Sequence, residues 1–218
     1  FAQFPAKPSR QMVSAIKEMN ATSGVFIENI GQYGNKVSGY EDMGEVKFGY
    51  EGFDMPVLFT DKGIIHLQRK IDNLSDQQEE MFEKQGLPET EIERKKIVTD
   101  RTLTMVWVGA NEQAEIISED KSSNYHTYGL LPDKAFGYKS VTYKNLYPGI
   151  DVVYFFIENS KTGFEYSIKA SPGADLGLIK MRYGGDLKKI KIDRNGNLQV
   201  YSDINGITET IPVSYYGT

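Results

Sequence analysis

The chain has 218 residues, 39% of them hydrophobic and 25% charged, which is enough to bury the core of one large domain or two small ones. Its formal net charge of -5, from 30 acidic and 25 basic residues, argues against a nucleic-acid partner, because such a partner requires clustered Lys and Arg to neutralise phosphates. The chain has no cysteine, which excludes disulfide bonds, thiolate metal sites and a cysteine nucleophile.

The aromatic and glycine content favours β-structure. The chain has 14 Tyr, 11 Phe and 21 Gly, and aromatic side chains suit pleated surfaces while glycines mark turns. No stretch approaches the roughly 20 apolar residues of a membrane-spanning helix, so no membrane span is predicted.

Residues 1–22 are predicted to be a helical lead-in. Met12, Ile16 and Met19 are spaced by four and three residues, which places them on one face of a short helix, and Gly24 is a stop signal. A frayed terminus is the alternative interpretation.

Residues 23–218 are predicted to form one β-rich domain. Between Val25 and Arg69, short apolar runs are broken by Gly, Asn and Asp. The second half of this segment indicates three strands, with turns near Glu51-Gly52 and at residues 61–63.

Residues 72–97 interrupt the strand pattern with a charged, helical insertion. Ser75 and Gln78 have the spacing of a capping box, and Gly86 is a helix stop. The apolar content is low, so we expect a peripheral element. A surface insertion is favoured over a partner-binding arm, because long insertions cost little loop entropy.

Strand patterns resume at residue 102. In TLTMVWVGA, residues 102–110, both alternating sets are largely apolar, which predicts a strand buried on both faces. Further strand patterns follow in AEIIS (114–118), SVTYKNLY (140–147), IDVVYFFI (150–157), GFEYSIKA (163–170) and LIKMRYGG (178–185).

The C-terminal residues 189–213 predict a three-stranded meander. A three-residue loop at 194–196, with Gly196 in the left-handed region, keeps the apolar residues in register. A two-residue turn at Asn205-Gly206 does the same for the second hairpin. The predicted buried face then consists of two rows: Ile190, Val200 and Ile211, and Ile192, Leu198 and Val213.

Two acids, Asp151 and Glu165, are the best candidates for a glycosidase-like pair. They flank a predicted hairpin in which residue 157 pairs with residue 164, so Asp151 would lie opposite Ala170 and far from Glu165. Asp151 follows a Pro-Gly turn and can accept hydrogen bonds from turn amides. We therefore expect Asp151 to shape a turn, and no catalytic residue is predicted.

No metal or cofactor site is predicted either. His66 alternates with Ile64 and Gln68, and His126 is expected in a loop, with no third ligand nearby. Asp193 begins a stretch that resembles a calcium loop, but Ile occupies the twelfth position where a bidentate acid is required. A hairpin turn explains those residues better.

Tyrosines near predicted turns are the remaining functional signal. A tyrosine offers apolar area and a hydroxyl, which suits carbohydrate stacking or protein contact. Capping of sheet edges is the structural alternative, and we favour it. The candidate binding residues are Tyr125, Tyr128, Tyr138, Tyr215 and Tyr216.

Several motifs together resemble a known family. They are FIENIGQYG (26–34), DKGIIHL (61–67), VGANEQAEIISEDKSSNYHTYG (108–129), YKNLYPGIDVVYFF (143–156) and ETIPVSYY (209–216). In this order they resemble the N-terminal domain, of undefined function, of large secreted Bacteroidetes proteins. Those proteins carry β-propeller (SBBP) repeats and a type IX secretion or gliding-motility-associated signal. The 72–97 insertion is longer than is typical of the family, and residues 34–54 diverge from it.

The resemblance implies a secreted protein or one at the outer face of the outer membrane. It also implies that further modules follow in the same chain, and it supplies no catalytic residues. We expect a mainly β, antiparallel, β-sandwich-like domain with a C-terminal meander. The expected function is a non-catalytic, adhesin-like module that assembles with other domains of its chain, cell-surface proteins or the secretion machinery, and that takes part in gliding motility. Carbohydrate binding or glycoside cleavage is the alternative.

Overall fold

A computed structural model describes residues 24–53, 55–129, 131–157 and 163–215. The predicted N-terminal helix, within residues 1–22, lies outside the described residues. The chain divides into two compact units. The first contains the described residues up to His66 together with Thr104–Arg182, and the second contains Leu67–Leu103 and the residues from Tyr183 onward.

Most of the regular structure consists of β-strands that pair antiparallel, which confirms the predicted mainly β, β-sandwich-like class. The strands are β1 (Phe26–Glu28), β2 (Val46–Tyr50), β3 (Val57–Thr60), β4 (Gly63–Asp72), β5 (Ile97–Trp107), β6 (Glu115–His126), β7 (Ala135–Tyr147), β8 (Ile150–Phe155), β9 (Glu165–Ala170), β10 (Met181–Gly185), β11 (Lys189–Ile192), β12 (Leu198–Tyr201) and β13 (Gly206–Glu209). The helices are α1 (Asp76–Lys84) and α2 (Glu89–Glu93).

The first unit is built on strands in the order β4-β3-β2-β1-β7-β8-β9, with β6 along the other side of β7. The predicted turns after β2 and β3 are present. Aromatic rings fill its core because alternate residues of β1, β3 and β8 point to the same face. Phe59 packs edge-on against Phe26 and Tyr154, with ring centroids 5.0 and 5.1 Å apart. All three side chains are fully buried.

Strand β5 contributes Met105 and Trp107 to this unit, and both are buried as predicted. Gly63 lies close to this strand: a Cβ there would lie 2.0 Å from the carbonyl oxygen of Met105, and φ is +156°. Only glycine allows the two backbones to approach this closely.

The second unit contains the outer parts of β4 and β5 and the helical insertion. The predicted capping box at Ser75 is present, and Gly86 has a φ of +77° just beyond the C-cap of α1. No residue of α1 is buried, which agrees with a surface insertion. Among the described residues, no helix is long and apolar enough to cross a membrane.

Polar contacts connect β5 to the C-terminal part of this unit. The Arg101 guanidinium donates two hydrogen bonds to Asp203, at 2.6 and 2.7 Å. Asp186 accepts from the Thr102 amide at 2.9 Å. Such two-point contacts fix orientation as well as distance.

The first hairpin of the meander forms as predicted. Ile190 pairs with Val200 and Ile192 with Leu198. Gly196 has a φ of +86°, and its amide donates to the Asp193 carbonyl at 3.1 Å. The pattern correctly selected the three-residue loop.

The predicted second hairpin is wrong in register. Val200 pairs with Ile207 rather than Ile211, a shift of four residues. The Ser202 hydroxyl causes this shift, because it accepts hydrogen bonds from the Ile204 and Asn205 amides at 3.2 and 3.1 Å and closes the loop early. Such hydroxyl–backbone bonds define Ser/Thr turns.

The predicted buried rows are also wrong, even in the first hairpin, where the register is as predicted but the side chains of β11 are exposed. Only Val200 among them is fully buried. Ile190 and Ile192 are 46% and 70% exposed, and Ile211 and Val213, which lie beyond β13, are 56% and 69% exposed.

Candidate functional site

The structure places the candidate tyrosines in different settings. Tyr125 is the second-to-last residue of β6 and so lies near the end of a strand, whereas Tyr138 lies within β7, away from the turn predicted for it. Tyr128 follows β6. Tyr215 is 85% exposed in the second unit, whereas Tyr216 lies outside the described residues.

Tyr125 contributes to a pocket of about 270 Å³ within the first unit. The pocket lies between the N-terminal end of β1, the end of β2 and the end of β6. Its lining combines aromatic rings, short polar side chains and one carboxylate. The lining residues are Val25, Ile27, Tyr50, Glu51, Gly52, Ser122, Asn124, Tyr125 and His126.

A bulge in β6 forms one wall of the pocket. Lys121 pairs with Tyr138 and Tyr125 with Phe136, so four residues of β6 span two of β7. The extra residues push Ser122 and Asn124 out of the ladder and into the pocket lining. Bulges often redirect side chains beside binding sites.

Glu51 is the acidic residue of the pocket, and two tyrosines hold it in place. The hydroxyls of Tyr33 and Tyr128 both donate to its Oε1, at 2.7 and 2.9 Å. No described residue hydrogen-bonds its Oε2 atom. The carboxylate is thus fixed in orientation and keeps one oxygen for a further donor.

The loop after β1 positions Tyr33. The Asn29 side chain accepts from the Gly31 amide at 3.0 Å and donates to the carbonyls of Gly34 and Val46 at 2.8 and 2.9 Å. This network folds the loop so that the ring of Tyr33 lies on Gly49, where a Cβ would be 2.4 Å from the ring. Glycine at residue 49 is therefore required for the ring to reach Glu51.

Both tyrosines that hold Glu51 remain hydrogen-bond donors across the physiological pH range. Burial, together with the neighbouring carboxylate, raises the pKa of Tyr33 and of Tyr128 well above the usual value. Tyr125 is 49% exposed, and Lys134 Nζ lies over one face of its ring, 4.0 Å from the centroid. The pocket thus offers a fixed acceptor beside an accessible aromatic ring.

Tyr138 is not part of the pocket. Its hydroxyl donates to Glu28 Oε2 at 3.1 Å, while the Phe136 amide donates to the other Glu28 oxygen at 2.8 Å. These bonds link β1 to β7 and give Tyr138 a structural role.

The two acids considered for catalysis do not come together. Asp151 pairs with Lys169, not Ala170, so the predicted register is wrong by one residue. Glu165 pairs with Phe155, which places it four residues, or about 13 Å, along the ladder from Asp151.

Asp151 holds the irregular part of β7 between Tyr143 and Tyr147, rather than the amides of the Pro-Gly turn that the sequence predicted as its partners. It accepts from the Asn145 amide at 2.7 Å and from the Lys144 ammonium group. Partial burial opposes ionisation, but these contacts lower the pKa of Asp151. Asn145 has a φ of +50°, in the left-handed region that Asn adopts more readily than most residues, and the Asp151 contact holds it there.

The histidines are separate from one another in the sheet. His66 lies on β4 and pairs with Val57 of β3. Desolvation lowers the pKa of His66 to about 4. His126 ends β6, contrary to the predicted loop, and stacks on Tyr128 at a centroid distance of 6.4 Å. Among the described residues, no cluster of acids and histidines could hold a metal ion.

The loop around Asp193 is a hairpin turn. The oxygens of Asp193 accept from the amides of Asn195 and Asn197, and from the side chains of Asn197 and Gln199. These donors occupy the positions that a cation would need.

A second group of exposed apolar residues lies on β11 and on the segment after β13 in the second unit. We call it the meander strip; its exposed residues are Ile190, Ile192, Ile211, Val213 and Tyr215. Several exposed large apolar side chains so close along the chain are unusual for a surface with no binding role.

Sequence reasoning found Tyr125 and Tyr128 but missed Tyr33 and Glu51. Residues 33, 51 and 128 come from separate loops, so no local spacing connects them. Tyr33 lies between Gly31 and Gly34, both with positive φ, and this flanking pair is the only local signal.

Comparison with known proteins identifies the family. No curated protein and no solved structure matches the chain significantly. Residues 26–218 match the family described as Domain of unknown function (DUF7948), a range that covers both units. The chain therefore belongs to the DUF7948 family.

Proposed function

We propose that this domain is a non-catalytic, adhesin-like module of a secreted or cell-surface protein, and that it acts by assembling with other proteins. The exposed meander strip supports this proposal best. Ile192 and Val213 are 70% and 69% exposed, and burying such side chains in a contact stabilises a complex through the hydrophobic effect.

The separation of the two acids, Asp151 and Glu165, agrees with a role in binding. Asp151 holds the irregular part of β7, and Glu165 lies about 13 Å from it along the ladder. The surface setting and the link to gliding motility come from the sequence resemblance and are part of the proposal.

Affinity purification from the native cell envelope tests this function. The wild-type chain should recover a stoichiometric protein partner, and Ile192→Ser should reduce its recovery at least fivefold. Ile97→Ser is the matched control, because Ile97 is 66% exposed in the same unit but lies outside the strip. Recovery of the protein alone, or equal loss with both variants, would contradict the proposal.

Carbohydrate binding is the second candidate, and the Glu51 pocket favours it. A sugar ring can stack on the accessible Tyr125 ring while its hydroxyls donate to the Oε2 atom of Glu51. The volume of about 270 Å³ suits a single sugar unit rather than a long chain. The pocket offers one carboxylate, which suits binding better than the two-acid chemistry of glycosidases.

Titration with a panel of surface glycans tests this candidate. Tyr125→Ala and Glu51→Gln should each weaken binding about tenfold or more. Tyr215→Ala is the control, because Tyr215 is also exposed but lies in the other unit. Binding that survives both pocket substitutions would refute the assignment.

A further inference from the structure

Strand β11 has an unpaired backbone edge. The Asp193 amide donates to the Asn197 carbonyl at 2.9 Å, so Asp193 and Asn197 form a hydrogen-bonded pair. Hydrogen-bonded and non-hydrogen-bonded pairs alternate in an antiparallel ladder. Ile190 and Ile192 therefore direct their N–H and C=O groups away from β12. Among the described residues, β11 pairs only with β12.

The exposed side chains of β11 are alternately basic and apolar. Ile190 and Ile192 are exposed on one face, and Lys189 and Lys191 are exposed on the other. Natural edge strands are kept from pairing by short length, by edge lysines, by prolines, by bulges or by a covering segment. Strand β11 is short and carries two lysines, which disfavour pairing with a neutral or basic strand but leave the edge open to an acidic one.

The basic side chains at this edge form no direct ion pairs within the described part of the chain. Lys188, Lys189, Lys191 and Arg194 form no ion pair with any described residue, although Lys191 lies over the Tyr201 ring. The chain as a whole has a net charge of -5, so this basic stretch runs against its general character.

From this edge we infer that β11 accepts an added β-strand from a partner protein, and that the partner segment alternates acidic and apolar residues. The inference rests on the proposed assembly function and names its contact. Backbone groups of Ile190 and Ile192 would bond the added strand. Apolar partner side chains would lie against those two residues, and acidic ones against the lysines.

The charges argue against a second copy of this chain as the occupant. Antiparallel pairing of two β11 strands would bring lysines close to lysines, and like charges across strands are destabilising. An acidic strand can form hydrogen bonds with the free backbone edge and ion pairs with Lys189 and Lys191.

A synthetic peptide tests the inference with the 218-residue chain. The probe is an acetylated and amidated eight-residue peptide of alternating Glu and Val, and the control peptide alternates Lys and Val. NMR spectra follow the binding, and the probe should change the backbone amide chemical shifts of residues 189–192. The probe N-methylated on every amide should not bind, because neither of its edges can then donate hydrogen bonds to β11. Binding by the Lys-Val peptide, or shifts only elsewhere, would overturn the inference.

Variants of the protein separate charge from backbone pairing. Lys191→Glu should weaken binding of the Glu-Val probe roughly tenfold. Ile192→Pro removes one N–H that points away from β12, a change that an edge strand tolerates, and should abolish peptide binding. Ile192→Ser keeps that N–H and should retain more of the binding. Equal binding by the Pro and Ser variants would overturn the inference. If the Pro variant fails to fold, the N-methylated probe provides the same test.

The experiments distinguish a failure of the strand-addition inference from a failure of the proposed assembly function. Suppose that the envelope partner is captured by the wild-type chain, is lost with Ile192→Ser, and is unaffected by Lys191→Glu. The strand-addition inference would then be wrong while the assembly function holds. A dimer in sedimentation that Ile192→Pro dissociates would make the occupant a second copy and would also overturn the inference. Absence of any partner would reject the assembly function itself.

Discussion

Replacing Ser202 with Ala tests the interaction that sets the register of the second hairpin. The Ser202 hydroxyl donates to Gln68 Oε1 at 2.7 Å and accepts from the Ile204 and Asn205 amides. Gln68 and Ser202 are only 8% and 7% exposed. Ser202→Ala therefore removes a net hydrogen bond and leaves a buried amide oxygen of Gln68 without its partner.

The expected loss is about 2 kcal/mol, from roughly 1 for the bond and at least 1 for the unsatisfied Gln68 oxygen. Urea unfolding measures it, and native-state hydrogen exchange at residues 198–209 assigns it to the meander. Ser123→Ala is the control, because Ser123 is exposed and should change stability by less than about 0.5 kcal/mol.

A double-mutant cycle with Gln68→Ala then isolates the contact. The coupling energy should be about 1 kcal/mol, since each single change already breaks the same bond. A loss below about 0.5 kcal/mol for Ser202→Ala, or no coupling, would refute this account of the register.

Further predictions concern the core, the pocket and pH. Leu103→Ala should lower the free energy of unfolding by about 2–5 kcal/mol because Leu103 is fully buried, whereas Ile97→Ala should cost less than about 0.5; calorimetry distinguishes them. Gly49→Ala should displace Tyr33 and cost about 1–3 kcal/mol, with loss of the Tyr33 hydroxyl contact visible in NMR spectra. His66 has a pKa of about 4 in the folded protein and near 6.5 in the unfolded chain, so the unfolded chain binds a proton first as the pH falls. The free energy of unfolding should therefore be unaffected by His66 above pH 6.5 and should decrease as the pH falls from 6.5 towards 4. The variant His66→Leu should flatten that part of the pH–stability curve.

The sequence was sufficient for elements that local chemistry determines. The first meander hairpin combines a Gly with positive φ and an apolar pattern that only one loop length satisfies. The capping box at Ser75 and the buried strand around Trp107 are equally local signals.

The second hairpin shows where local reasoning fails. Both the predicted and the observed pairing of Val200 keep alternate residues on the same face, because they differ by four residues and four is even. The apolar pattern cannot separate the two. Ser202 and its partner Gln68 decide the register, and they are 134 residues apart in the sequence.

The pocket illustrates the same limit. Tyr125 and Tyr128 could be singled out because exposed aromatic residues beside polar ones are a recognisable signal. Glu51 was recognised only as a turn residue, since the tyrosines that hold it come from separate loops of the chain. The division of the chain between β4 residues 66 and 67 has no compositional signal either.

The register set by Ser202 also determines which apolar side chains are available to a partner. If Ile211 paired with Val200, as the sequence pattern suggested, it would lie within the ladder. Instead Ile207 occupies that place, and Ile211 and Val213 remain 56% and 69% exposed. The Ser202 loop therefore leaves Ile211 and Val213 outside the ladder and available to a partner. If Ser202→Ala shifts the register by four residues, it should therefore abolish partner capture without any substitution in the meander strip.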